Sequence, residues 1–249
     1  MIWWYFPLLF FTGIVVGFIN TIAGSGSFLT LPMLIFTGMP APVANGTNRV
    51  SILLQTLTGL LSFRKQNMLD LKNAALLACF TIPGAVAGSF VVVDIPGDIL
   101  QNIIGYVMLL FAVLTIWKPG AFKRKVEAEK QIRLKWFHFA LFILIGFYGG
   151  FIQAGVGIFI LFALVLTTGY DLIKANAIKL ALTFVFTPFS LAVFIFNEQV
   201  DWIPGLVLAA GSIAGAIWGA RFAIKKGTNA VRIVLFIVLA ISSIKMIIS

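Results

Sequence analysis

Apolar runs long enough to cross a bilayer follow one another along almost the whole chain, and two clusters of small residues interrupt them. A bilayer core about 30 Å thick needs roughly 20 apolar residues of helix, each rising about 1.5 Å. On that ruler eight runs are full length: Trp3 to Ile22, Val43 to Phe63, Leu71 to Val93, Ile99 to Trp117, Trp136 to Ile152, Ile173 to Phe196, Ile203 to Ile224 and Ala230 to Ile248. Two others, Phe28 to Thr37 and Ile158 to Thr168, are too short to span, and each directly follows a break. No water-soluble core could hold a sequence that is 61% hydrophobic and 10% charged, so the chain is expected to be all-α and polytopic in a membrane. The first run lacks the basic leader of a signal peptide and is read as a retained span. The single cysteine, Cys79, lies in an apolar stretch, excludes an intrachain disulfide and reads as small filler.

The two breaks resemble each other. Gly17-Phe18-Ile19-Asn20-Thr21-Ile22-Ala23-Gly24-Ser25-Gly26-Ser27 returns in altered form as Gly150-Phe151-Ile152-Gln153-Ala154-Gly155-Val156-Gly157. Gly24 and Gly155 are 131 residues apart, and the same offset joins Gly26 to Gly157, Gly38 to Gly169, Ala44-Asn45 to Ala175-Asn176, Asp70 to Asp201, and Gly84 and Gly88 to Gly215 and Gly219. A constant offset over separated landmarks is the mark of an internal duplication, a common way to build transporters.

Charge orients the two copies. The loop from Arg64 to Lys72 is basic, whereas its partner from Asn197 to Asp201 holds only acids; Asp94 to Asp98 is acidic, whereas its partner, with Arg221, Lys225, Lys226 and Arg232, is basic. Basic loops face the cytoplasm, so equivalent loops lie on opposite sides and the duplication is inverted. The expected organisation is a first membrane repeat at 1–118, a basic cytoplasmic linker at 119–135 and a second membrane repeat at 136–249. It gives about ten helical segments, a broken helical hairpin in each repeat, and both termini outside. The net charge of +10 is accordingly a matter of topology, with no nucleic-acid partner, and serves secondarily to gather anions at one mouth.

A helix interrupted inside a membrane frees backbone groups that lipid cannot satisfy, so the break must be buried in protein or line a wet cavity. The N-terminus of the short arm beyond it presents N–H groups and partial positive charge, which suits an anion. Gly24, Gly26, Gly155 and Gly157 allow close backbone approach, Ser25 and Ser27 add hydroxyls, and Asn20 and Gln153 stand just before the breaks. The alternative is a tight helical hairpin whose glycines serve packing alone. Downstream, Asn45, Thr47, Asn48 and Arg49 lie on one helix, and Asn176 and Lys179 on its counterpart. For Arg49 and Lys179 two readings stand: contact with the anion, or anchoring at the interface by long cationic chains. His138, at a helix entry beside the linker, reads as interfacial. The glycine pairs Gly84/Gly88 and Gly215/Gly219 read as close helix packing.

These residues carry a family resemblance. Ala23-Gly24-Ser25-Gly26-Ser27, Leu31-Pro32, Gly38-Met39-Pro40, Ala44-Asn45-Gly46-Thr47-Asn48 and Ala154-Gly155-Val156-Gly157 resemble the TauE/SafE family of sulfite exporters across nearly the whole chain. The resemblance implies transport of sulfite or organosulfur anions such as sulfonates across the bacterial inner membrane. Two departures stand out: Ser25 and Ser27 occupy positions that are glycine in many members, and Ile178 stands where the first half has Thr47. The half-sites therefore differ chemically.

The expected function is a secondary carrier that binds a small anion near the bilayer midplane and exposes it alternately to each side, with H+ or Na+ as the coupling ion if one is used. The alternative within transport is a channel-like or cation-coupled permease for another small solute. An enzyme is not expected, since no His, Cys, Asp or Glu residues group as a nucleophile, acid–base pair or metal cluster, and neither a metal nor any other cofactor is called for. A scaffold would not require two related broken helices. No Walker-type loop is present for ATP-driven pumping.

Overall fold

The structure, a computed structural model, describes residues 5–65, 69–117, 134–170 and 172–225. Its helices are α1 (Tyr5–Ala23), α2 (Ser27–Phe36), α3 (Ala41–Arg64), α4 (Leu71–Val93), α5 (Gly97–Trp117), α6 (Trp136–Phe151), α7 (Val156–Phe162), continued by a π-helical stretch at Ala163–Thr168, then α8 (Leu172–Phe196) and α9 (Trp202–Lys225). The expected final helix, Ala230 to Ile248, and residues 119–133 of the linker lie outside the described residues.

Among the described residues four helical stretches are long and apolar enough to cross a membrane: Tyr5–Ile22, Leu71–Val93, Ile173–Phe196 and Trp202–Phe222. The sequence led us to expect eight spans over the whole chain; the last of these lies outside the described residues, and α6 and α3 depart from the expectation for physical reasons. α6 stops after 16 residues, because its backbone leaves the helix at the second break. α3 runs for 24 residues but carries Asn45, Asn48, Arg49 and Gln55, all buried. Both short arms begin where their break ends, so the second starts at Val156 rather than Ile158. One other expectation is corrected: Cys79 is exposed instead of filling a core. His138 is buried in protein at the start of α6, its Nδ1 accepting from Lys135 N at 2.8 Å.

The long helices are arranged as related pairs. α1 lies along α9 and α6 along α4; α3 also packs on α9 and α8 on α4, while α3 and α8 meet each other. Glycine makes the first two contacts close. A Cβ added at Gly84, Gly88, Gly146 or Gly150 would come within 2.2 Å of a carbonyl oxygen on the facing helix of the α4/α6 pair, and Gly17, Gly211 and Gly215 stand in the same relation across α1/α9. Such small-residue faces bring helices together where lipid supplies no hydrophobic drive between them.

These contacts also correct the alignment of the two breaks. Gly17 abuts Ser212 and Gly146 abuts Thr81; Ser212 and Thr81 are related by the 131-residue offset, but Gly17 and Gly146 are 129 apart. Gly24 and Gly155, both with left-handed φ (73° and 76°), restore 131. The segment from Gly146 to Gly155 is thus two residues longer than its counterpart from Gly17 to Gly24. Gln153, which has positive φ itself (66°), lies in this longer connection.

A polar cluster ties the loop before α4 to the loop before α8. The Asp70 carboxylate accepts from Tyr170 Oη (2.6 Å), Asn73 Nδ2 (2.8 Å) and Asn73 N (3.1 Å), the last as the N-cap of α4. Burial works against the charged carboxylate, but the bonds from Tyr170 and Asn73 outweigh it and hold Asp70 below its ordinary value of 3.8. Burial and the bond to Asp70 push the Tyr170 hydroxyl up.

Two predictions follow from these contacts. Gly150→Ala, whose Cβ would lie 1.9 Å from Ala85 O, should destabilise the protein in detergent melts by roughly 1–3 kcal/mol. Gly97→Ala, with only Pro42 Cδ at 3.6 Å, should leave the melt unchanged. Tyr170→Phe should cost roughly 1 kcal/mol at neutral pH. Because the depressed Asp70 group stabilises the fold above its unfolded value and loses that contribution as pH falls through its lower folded value, the difference between Tyr170→Phe and wild type should close below about pH 4.

Candidate functional site

Both breaks come together in the middle of the protein. α1 ends at Ala23, Gly24 turns left-handed and α2 starts at Ser27; α6 ends at Phe151, Gln153 and Gly155 turn left-handed and α7 starts at Val156. A Cβ added at Gly24 would sit 2.6 Å from Gly157 Cα, and one at Gly157 would sit 2.5 Å from Gly24 Cα, so the two backbones touch where only glycine fits.

Apart from Asn20 O, which still accepts from Gly24 N at 2.8 Å, the last carbonyls of α1 and α6 lack backbone donors, and within an apolar surrounding they need other partners. The partners come from the long helix that follows the other break. Lys179 Nζ, on α8, donates to Asn20 O (2.9 Å) and Thr21 O (3.2 Å) at the end of α1, and Asn176 Nδ2 donates to Thr21 O (2.8 Å). Arg49, on α3, donates from Nη1 to Gly149 O (3.0 Å) and from Nη2 to Gly150 O (2.5 Å) at the end of α6, while Asn45 Nδ2 donates to Phe151 O (2.8 Å). Asn20 and Gly149, like Thr21 and Gly150, are 129 residues apart, the register given by the glycine contacts. Cations at the negative ends of helix dipoles are favourably placed. Arg49 is 0% and Lys179 2% exposed, so neither side chain reaches an interface as the anchoring reading required. The Arg49 guanidinium is further held by Gln153 Oε1 at 3.3 Å and lies over the Phe194 ring, 4.4 Å from its centroid.

Between the breaks is a cavity lined by Asn20, Gly24, Ser27, Gln153, Gly157 and Lys179, six of the residues singled out in the sequence. It leaves room for about one water molecule. Thr56 and Thr183, with Ile52, Val156 and Leu180, complete the lining. The other sequence candidates surround this space in different capacities. A Cβ added at Gly26 would meet Val16 O and the Asn20 side chain, and the Gly26 N–H donates to Asn20 Oδ1 at 3.3 Å. Gly155 packs on the Phe28 and Phe111 rings. Thr47 accepts from Asp201 N at 2.8 Å and so fixes the entry to α9. Asn48 Oδ1 accepts from Thr30 Oγ1 at 2.6 Å.

Several buried donors at this centre have no partner: Ser25 Oγ, Asn48 Nδ2, Arg49 Nε and Gln55 Nε2. Unpaired buried donors are costly, and those with N–H groups alone, on Asn48, Arg49 and Gln55, can be satisfied only by acceptors. Gln55, whose Oε1 accepts from Asn20 Nδ2 at 3.1 Å, was not singled out in the sequence, nor were Thr56, Thr183 and Thr187, the last accepting from Gln153 Nε2 at 3.0 Å. The signal existed. Asn176, Lys179, Thr183 and Thr187 are spaced by three, four and four residues, as Asn45, Asn48, Ile52 and Thr56 are, so each set marks one helix stripe. No group of three or more His, Cys, Asp or Glu residues that could hold a metal occurs among the described residues.

Comparison with known proteins fits this arrangement. The family model for the sulfite exporter TauE/SafE matches residues 9–246. A Sinorhizobium protein described as "Probable membrane transporter protein ORF9" is 31% identical over 230 residues, covering 92% of this chain and 87% of its own. A Haemophilus influenzae protein described as "Probable membrane transporter protein" is 31% identical over 242 residues (96% and 93%), and the Escherichia coli K12 protein YfcA, with the same description, is 30% identical over 241 residues (96% and 88%). No solved structure matches the chain. A multi-pass α-helical chain with paired breaks and a buried, donor-rich centre, matched along nearly its whole length, belongs to the TauE/SafE sulfite exporter family, whose members are membrane transporters and not enzymes.

Proposed function

We propose that this protein is a secondary carrier of the bacterial cell membrane that moves sulfite or a small sulfonate by alternating access around the cavity between its two breaks. The observation that carries the reading is the exchange of caps: Lys179 closes the end of α1 and lines the water-sized cavity, while Arg49 closes the end of α6 and bonds Gln153, which lines the same cavity. A carrier needs a site whose attachments can be remade towards either side, and here the carbonyl of one broken helix and an incoming anion compete for the same donors. Ser25, Ser27 and the N-terminus of α2 supply further donors, as do the unpartnered groups of Asn48, Arg49 and Gln55. The sulfur oxyanion would be held chiefly by Lys179, Gln153, Asn20, Ser25, Ser27 and the backbone at Gly24 and Gly157, with Asn48 and Arg49 alongside. Gly26, Asn45, Thr47, Gly155 and Asn176 shape and support that site.

Inverted repeats provide the motion. The pairing of α1 with α9 and of α6 with α4, together with the reversed charges of equivalent loops, supports two halves related by a pseudo-twofold axis in the membrane plane. Residues 1–118 and 136–249 form the halves, the linker at 119–135 is cytoplasmic and both termini are outside. In this conformation the cavity is too small for a sulfonate group, which fits an occluded form between the two open ones.

The test is ligand binding by purified wild type and two variants. Sulfite or methanesulfonate should raise the melting temperature of the wild type, and either anion should show counterflow in proteoliposomes. Arg49→Met and Gly24→Ala, the latter forcing a Cβ at positive φ against Gly157, should weaken binding at least tenfold, about 1.4 kcal/mol. Full binding by folded variants, or flux without counterflow, would refute the carrier.

A further inference from the structure

The two caps are not chemically alike, and the difference bears on coupling. With the 131-residue offset, Lys179 corresponds to Asn48 and Arg49 to Leu180. The charge has moved by one position between the halves and has changed from a guanidinium that keeps its proton to an amine that can release one. Lys179 lines the cavity and Arg49 does not.

Among the described residues nothing else near the cavity can exchange a proton. None of the described carboxylates, Asp70, Asp94, Asp98, Glu198 and Asp201, is in its lining. The helices packed against α8 are α1, α3, α4, α6 and α7. On them, Arg64, Lys72 and Cys79 are exposed, Tyr5 starts α1 at the end away from the break, and His138 sits at the far end of α6 with its Nδ1 on Lys135. Tyr148 Oη is committed to Ala154 O at 2.5 Å, and Arg49 to the end of α6. On α8 itself, Lys174 lies more than a turn before Lys179 and outside the lining.

The Lys179 nitrogen has three positions besides its carbon, and two carry N–H groups directed at Asn20 O and Thr21 O. The third is what changes: a lone pair in the amine, an N–H donor in the ammonium. A buried ammonium lacking an anionic partner is costly, and an anion in the cavity removes that cost. We propose that Lys179 is the proton-coupling residue of the transporter, taking up one proton as the anion binds and releasing it with the anion on the other side. The proton comes from water on the loading side, forms an N–H bond on Nζ, and returns to water when that bond breaks, so a monovalent anion and its proton cross together without net charge.

This rests on the carrier reading, and its test separates the two. Methanesulfonate keeps one charge across pH 6 to 9, so any proton taken up on its binding belongs to the protein. Calorimetry in buffers of different ionisation enthalpy should show uptake approaching one proton per anion at the alkaline end, with Kd rising about tenfold per pH unit there. In Lys179→Arg, which holds a fixed charge, Kd should not vary with pH, and a proton gradient should no longer drive accumulation in proteoliposomes. Binding by the wild type with no proton uptake and a flat Kd would overturn the coupling role and leave the carrier standing, as would an unchanged pH dependence in Lys179→Arg. Absence of binding by methanesulfonate and sulfite alike would overturn both.

Discussion

The carbonyl groups at the ends of α1 and α6 are the constraint on which the rest of the structure depends. A helix that stops inside an apolar environment leaves up to four acceptors unpaired, and each costs free energy comparable to a lost hydrogen bond unless a donor reaches it. In this protein Lys179 and Asn176 serve one end, Arg49 and Asn45 the other, and Ser89 Oγ adds a bond to Gly150 O at 3.1 Å. Because each donor set stands on the long helix after the opposite break, neither half can satisfy itself. The breaks and the central α3/α8 contact are therefore stabilised together.

Close approach is the second requirement, and glycine meets it in two ways. Along α4/α6 and α1/α9 the missing Cβ lets one helix lie on the carbonyls of its neighbour, while at Gly24 and Gly157 it lets the two breaks touch. Gly24 and Gly155 combine crowding with a left-handed φ, so there backbone conformation and space both select against a side chain. The two extra residues in the second break are accommodated at Gln153, whose side chain then spans from Arg49 to Thr187. Asn20, with no such extension, bonds Gln55 and the N–H of Gly26 instead.

Much of this was legible in the sequence, because glycine clusters and buried cations are rare in apolar runs and carry their meaning locally. The helix bounds of α4 and the positions of both breaks follow from run length and small residues alone, and six of the named site residues line the cavity. What escaped depends on facing surfaces. Gln55, Thr56, Thr183 and Thr187 look like ordinary polar substitutions until α3 and α8 are set against each other, and a threonine can also bond back to its own helix, as Thr56 and Thr187 do. The 129-residue register of α1 and α6 was hidden because Gly17 and Gly150 begin similar strings, and only the carbonyls they press against distinguish Gly146 as the true counterpart of Gly17. The burial of His138 and its bond to Lys135 N at the start of α6 likewise depend on contacts that its neighbours in sequence do not show.

The caps also bear on how tightly a carrier of this design can hold its cargo. Two free cations in a cavity of low dielectric would bind an oxyanion strongly enough to prevent its release, since Coulomb attraction there is many times that in water. Here both side chains already donate to carbonyls, so an arriving anion gains only the difference between its own bonds and those it displaces. The same exchange frees the end of α1 or α6 from the half that held it. Binding and loosening are then one event, and the substrate shifts the equilibrium between conformations by the difference in how each keeps those carbonyls satisfied. An arginine at one end and a lysine at the other make the two exchanges unequal, which gives a pseudo-symmetric molecule a basis for treating its two sides differently.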